Sequence, residues 1–153
     1  MAEFIKAYKK LEVAEGGYVM DRDDAGGETY KGVSRKANPN WIGWVILDDL
    51  KKHHPKTFAA IAKKTPQLEK AVQDLYKKNY WNCFNLDNFK SQEVAEQLFD
   101  MNVNAGQRIA IKCAQRIVNI PQDGKWTKEL ENILADIKSV SYTHLTLPTN
   151  SRV

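Results

Sequence analysis

The sequence is poor in cysteine, in long apolar runs and in charge of one sign, and each shortage narrows what the chain can be. Its 153 residues hold two cysteines, Cys83 and Cys113. Two are too few for a disulfide scaffold, and no CxxC or His-rich spacing accompanies them. They are expected to be two buried thiols of a protein made in the cytosol, with no metal and no cofactor. Apolar runs are short. The stretch 44–47 spans four residues, against roughly 18 for a bilayer crossing, so stable membrane insertion is not expected. The N-terminus, MAEFIKAYKK, has an acid at position 3 and no apolar signal core. It reads as the start of a helix and not as a secretory leader.

Charge is close to balanced, with 23 basic against 19 acidic residues and a net of +4. It is unevenly spread. Between 51 and 78 stand eight lysines and two acids, Glu69 and Asp74. Such a stretch is either a solvated helical face or a surface for an anionic polymer: nucleic acid, an acidic membrane or cell-wall polymer. Lysine without arginine, and without a nucleic-acid motif, argues against a nucleic-acid module.

What is present is mostly helical periodicity. Phe4, Ile5, Tyr8 and Leu11 predict a helix over 3–15, stopped by Gly16-Gly17. Residues 18–34, YVMDRDDAGGETYKGVS, have no helical period and predict an irregular hairpin with Gly26-Gly27 as its turn. Apolar stripes then predict helices through Trp44, Val45, Leu47 and Leu50, and through Phe58, Ile61 and Ala62. His53 and His54 follow the first of these as a solvated cap. Thr65-Pro66 is a start signal for a helix carrying Leu68, Val72, Leu75 and Tyr76. Ser91 opens another through Val94, Leu98 and Met101. Gly106 interrupts before Ile109, Ile111, Ala114 and Ile117. Thr127 begins the last, with Leu130, Ile133, Leu134 and Ile137. Trp44 and Phe99 fit core stripes. The fold class is all-α with one small hairpin after the first helix. The tail 139–153, SVSYTHLTLPTNSRV, has no amphipathic face. It reads as non-native or disordered sequence and is set aside.

Chemistry concentrates in the hairpin. Glu15-Gly16-Gly17-Tyr18 sets a carboxylate at the expected end of the first helix, and Asp21, Asp23, Asp24 and Glu28 follow. This can be a solvated acidic loop. It is not an EF-hand, because DRDDAGGET lacks the ligand spacing and the closing Glu. It can also be a paired-carboxylate hydrolase site, in which one acid protonates a leaving oxygen and another holds water or steadies positive charge. A negative helix end, neighbouring acids and a dehydrated cleft wall all disfavour an ionised Glu15, as a general acid requires.

The motif Glu15-Gly-Gly-Tyr, then Asp21-x-x-Asp24-x-Gly26-Gly27-x-Thr29-x-x-Gly32-Val33-Ser34, resembles the opening of glycoside hydrolase family 108. These are lysozyme-like N-acetylmuramidases, some of them named secretion activators. The similarity continues through Asn38-Pro39-Asn40-Trp41 and Tyr80-Trp81. Phe99-Asp100-Met101-Asn102-Val103-Asn104-Ala105-Gly106 and Asp123-Gly124-Lys125-Trp126-Thr127 resemble the small C-terminal peptidoglycan-binding region paired with that family. The resemblance implies a lysozyme-like fold and Glu15 as catalytic acid. Phage-type lysozymes place an Asp nine residues after the Glu and a Thr six beyond it. Asp24 fits that spacing, with Asp21 as second choice. Thr29 is five beyond Asp24, and Tyr30 occupies the sixth position. Residue 20 is Met where family members commonly carry Asn.

The same resemblance implies a division into a catalytic region, 1–90, and a C-terminal peptidoglycan-binding region, 91–138, that completes a cleft or grips the wall. Candidate sugar-facing side chains are Tyr18, Tyr30, Trp41, Tyr80 and Trp81, with Asn102 and Asn104 for N-acetyl groups. The expected partner is the glycan strand of peptidoglycan, met by a monomer, with no nucleic acid. With no leader visible, the route to the wall would run through a holin or a secretion system. The alternative is a non-catalytic peptidoglycan-binding or secretion-accessory protein.

Overall fold

A computed structural model describes residues 1–11, 17–20 and 27–138. Glu15, Asp21, Asp24, the turn residue Gly26 and the tail 139–153 lie outside the described residues. The rest is mostly helical with a small antiparallel sheet after the first helix, as the periodicities predict. Packing divides the chain into two units, 11–75 and 1–10 joined with 76 onward. The packing boundary falls at 75/76, and α1 (Phe4–Lys10) belongs with the unit from 76 onward.

In the unit 11–75, β1 (Tyr18–Met20), β2 (Glu28–Tyr30) and β3 (Val33–Ser34) form one antiparallel sheet in the order β1-β2-β3. The expected hairpin thus gains a third strand. The register pairs Tyr18 with Tyr30, Val19 with Thr29 and Met20 with Glu28. Two residues, Lys31 (φ 46°) and Gly32 (φ 84°), connect β2 to β3. Positive φ at both positions matches the strand twist in a two-residue turn. Lysine is an uncommon occupant of that left-handed region. It is held there by its own N–H, which donates to the Gly17 carbonyl at 2.9 Å, and by its ammonium, which bonds Glu69 at 3.0 Å.

Three helices complete this unit: α2 (Ile42–His53), α3 (Phe58–Lys63) and α4 (Pro66–Tyr76). Helix α4 starts where Thr65-Pro66 predicts. The Thr65 carbonyl accepts from the N–H groups of Leu68 and Glu69, while its hydroxyl donates to the Ile61 carbonyl at 2.8 Å. Trp44 and Leu47 of α2, Ala62 of α3, Leu68 and Val72 of α4, and Tyr30 and Val33 of the sheet are buried together as the core. Burying side chains of this size contributes about 1.5–3 kcal/mol each.

The second unit is built on aromatic packing. Phe4, Trp81 and Phe99 meet edge to face at centroid distances of 5.6, 5.7 and 5.6 Å. Helix α1 is tied to α5 (Gln92–Ala105) by two reciprocal bonds: the Glu3 N–H donates to Gln92 Oε1 at 2.7 Å, and Gln92 Nε2 donates to the Glu3 carbonyl at 3.0 Å. After α4 the chain passes through a π-helical turn, Lys77–Trp81, and two 3₁₀ turns. Ser91 caps α5 by accepting from the Val94 N–H at 3.2 Å. Helices α6 (Gln107–Ile117) and α7 (Lys128–Ala135) follow.

Candidate functional site

The described part of the hairpin is organised around one carboxylate. Glu28, at the start of β2, accepts from the Tyr18 hydroxyl at 2.6 Å and from Arg35 Nη1 at 3.1 Å. It also accepts from the Lys51 ammonium. Arg35 reaches on to α2 and holds Asp48 with two bonds, Nη1 to Oδ1 at 2.8 Å and Nη2 to Oδ2 at 2.7 Å. This forked geometry is among the stronger ion pairs. The Arg35 guanidinium also lies 5.2 Å from the centre of the Trp44 ring. Two acids and two bases therefore lock the sheet onto α2.

The electrostatics follow from the partners. Burial alone would raise the Glu28 carboxyl pKa, but bonds from Lys51 and Tyr18 and the charges of Lys51 and Arg35 outweigh it and lower the pKa. Glu28 is thus an ionised structural carboxylate and cannot supply a proton as a general acid at neutral pH. Burial, followed by the Glu28 bond, raises the Tyr18 phenol. The Arg35 bond lowers the Asp48 carboxyl.

The expected sugar-facing residues separate by burial. Tyr18 is half-buried: its ring packs against Phe58 at 4.9 Å and lies under Lys51 at 4.8 Å. Trp41 is also half-buried. Its indole donates to the Ala71 carbonyl at 3.2 Å, and its ring lies so close over Gly43 that a Cβ there would meet it at 2.3 Å. Thr29 is half-buried in mid-strand, beside Val19 and Ser34. Tyr30 is interior, at 1% exposure.

In the other unit, Trp81 is fully interior, and its indole donates to Asp87 at 2.8 Å. Asn102 is interior as well, donating to the Tyr80 carbonyl at 3.2 Å and to Cys83 Sγ at 3.3 Å. Tyr30, Trp81 and Asn102 therefore serve packing here and offer no free face to a sugar. Tyr80 is half-buried beside Tyr76, at 5.4 Å. Asn104 is exposed and donates back to the Asp100 carbonyl at 2.8 Å. The cysteines are both free, with Cys113 buried and Cys83 half-buried. His53 closes α2, and its Nδ1 lies 2.9 Å from the Asp49 carbonyl.

The Asp123-Gly124-Lys125-Trp126-Thr127 motif has a local explanation. Gln115, buried on α6, donates to Asp123 Oδ1 at 2.8 Å and accepts from the Gly124 N–H at 3.0 Å. Gly124 has φ 74°, and a Cβ there would press on Arg108 at 3.0 Å. Thr127 then caps α7 by accepting from the Leu130 N–H at 3.1 Å. Glu131, four residues on, is buried and takes bonds from Asn85, Trp126 and Lys128. No sequence spacing announces the Glu28–Arg35–Asp48–Lys51 cluster, because its members fall on different elements with no common period. The one hint is Glu28 itself, the last acid of an acidic hairpin.

Among the described residues no helix is long and apolar enough to cross a membrane, and no group of three His, Cys, Asp or Glu could hold a metal ion. No curated protein matches the chain. Among solved structures it is similar to Brucella abortus SagA, with a TM-score of 0.60 and 25% identity. The match covers 97% of this chain and 76% of that one. The sequence profile described as Glycosyl hydrolase 108 matches residues 8–106, which hold the Glu15 motif, the sheet and helices α2 to α5. A match over well more than half of the chain places this protein in glycoside hydrolase family 108.

Proposed function

We propose that the chain is a peptidoglycan hydrolase, an N-acetylmuramidase that cleaves the β-1,4 bond between N-acetylmuramic acid and N-acetylglucosamine. The observation that carries this reading is the family match over residues 8–106, because it contains the one acid-rich glycine turn in the chain. Glu15 protonates the leaving glycosidic oxygen. Asp24, with Asp21 as second choice, orients the attacking water or stabilises the oxocarbenium-like state. Glu28 supports the division of labour: as it is ionised and ion-paired, its task is to hold β2 against α2, a few residues along the chain from the acidic turn. Tyr18 and Trp41 are the best-supported sugar-stacking rings. The C-terminal region, 91–138, grips peptidoglycan. The proposed site of action is the wall, reached from the cytoplasm through a holin or a secretion system, and the working unit is a monomer.

The decisive experiment is wall lysis by Glu15→Gln, which keeps shape and hydrogen bonding but cannot act as an acid. Lysis should fall by at least about 100-fold, the scale of a general acid, with circular dichroism unchanged. Wild-type lysis would remove Glu15 from the mechanism. For the second carboxylate, Asp24→Asn should cost activity with little change in melting temperature. Asp21→Asn should cost stability first, since a short Asp in a turn often bonds nearby N–H groups. The reverse order would make Asp21 the partner.

A further inference from the structure

The corner between α2 and α3 carries an excess of positive charge that no described residue neutralises. From residue 50 to residue 68 there is no acid, and five lysines, Lys51, Lys52, Lys56, Lys63 and Lys64, fall in that span. Only Lys51 is used internally, on Glu28. Lys52, Lys56, Lys63 and Lys64 are exposed and form no ion pair among the described residues. The nearest acids along the chain are already engaged: Asp48 with Arg35, Asp49 with His53, and Glu69 with Lys31. The corner also adjoins the motif. Lys63 lies along Gly17, its Cε 2.8 Å and its Nζ 3.7 Å from where a Cβ of that glycine would be. Phe58 of α3 packs on Tyr18, the next residue.

The charge is lysine only, which makes compact, mobile point charges and not the planar forks that read phosphodiesters or bases. Its one aromatic, Phe58, is half-buried against Tyr18 and not displayed for stacking, whereas single-stranded nucleic-acid surfaces interleave cations with exposed rings. A surface of this kind suits a flexible chain bearing spaced carboxylates. Peptidoglycan is such a chain, because each muramic acid carries a short peptide with free carboxylates.

We infer that the α2–α3 corner docks the peptide carboxylates of the strand, so that peptide-bearing strands are the preferred substrate over bare glycan. The inference rests on the proposed muramidase reading and adds to it the substrate class. It is tested by comparing hydrolysis of purified peptide-bearing strands with strands stripped of peptide by an amidase, at low and high salt. The wild type and a variant with Lys52, Lys56, Lys63 and Lys64 all changed to Gln are run side by side. The wild type should favour peptide-bearing strands, and salt should erode that preference as it screens exposed charges. In the variant the ratio of kcat/KM on the two substrates should fall about tenfold, the product of four weak surface contacts. The loss should sit in KM, with the melting temperature unchanged. An unchanged ratio and salt dependence would overturn the inference.

If the wild type cleaves neither substrate, the muramidase reading fails separately. Cosedimentation of both proteins with intact peptide-bearing strands then decides the docking surface alone, and equal binding by wild type and variant would refute it. Sub-micromolar binding to duplex DNA at physiological salt, lost in the variant, would reassign the corner to nucleic acid.

Discussion

The two units of this molecule are held together by different physics. The unit 1–10 with 76 onward is built on fully buried rings: Trp81, Phe84, Phe89 and Phe99 are at most 1% exposed. The unit 11–75 has a smaller apolar core and very short strands of three, three and two residues. Strands so short form few ladder bonds and gain little from pairing alone. The deficit is offset by charge: Glu28, Arg35, Asp48 and Lys51 bind the sheet to α2, and Lys31 with Glu69 binds it to α4. In the unit that holds the family's acidic motif, ion pairs thus join the sheet to α2 and α4.

The contrast can be broken from either side. The largest effect is expected for Trp81→Ala, which removes a fully buried ring and its bond to Asp87. About 3–5 kcal/mol should be lost, read by denaturant unfolding, with no dependence on pH between about 4 and 8, where neither ring nor replacement titrates.

Glu28→Gln should cost less, about 1.5–3 kcal/mol at neutral pH, the scale of hydrogen bonds to a charged group. This loss should depend on pH. Because the folded state lowers the Glu28 pKa, its contribution is complete above the unfolded value near 4.3 and disappears as pH falls through the lower folded value. The gap between the melting curves of wild type and Glu28→Gln should therefore begin to narrow as pH falls below about 4.3 and close once pH is below the folded value. A gap that does not narrow on acidification would mean that shape, not charge, holds the sheet.

Thr127→Ala should cost about 1 kcal/mol through the lost α7 cap, again without pH dependence, and Thr127→Ser should restore it. The smallest effect belongs to removal of 139–153. A chain ending at Lys138 should melt within a few degrees of the full chain. Since about 1 kcal/mol moves a domain of this size by only a few degrees, a larger drop would show that the tail packs.

Helices were legible wherever the sequence combined a period with punctuation. Ser91 and Thr127 cap their helices as the residue type predicts, and Gly106 separates α5 from α6. The stripes were less reliable at their edges. Val45 is 63% exposed, although it lies between the buried Trp44 and Leu47. On a helix adjacent residues point about 100° apart, so the neighbour of a core residue need not share its face. Ile5, Ile109 and Ile133 are exposed for the same reason.

The candidate site divides along a similar line. Its motif is a local pattern, and local patterns survive in a linear sequence: an acid beside paired glycines, a second cluster of acids nearby, and a turn that glycine makes possible. That much identifies the family and the class of bond it acts on. Whether an aromatic or an amide faces a ligand depends on what packs on its other side, and sequence spacing carries no such information. Trp81 and Asn102 lie in segments that resemble the family's motifs, yet both are interior, because α1 returns to cover Trp81 and the Cys83 turn lies against Asn102. The sequence by itself thus determined the helices and the Ser91 and Thr127 caps, all of which depend on residues within one or two turns of each other. Only the tertiary structure decided that residues 1–10 fold with the C-terminal half and that Glu28 is a clamp and not an acid. Only it showed that Lys63 stands beside Gly17. Each of these outcomes depends on side chains far apart in the chain, and long-range packing sets those distances.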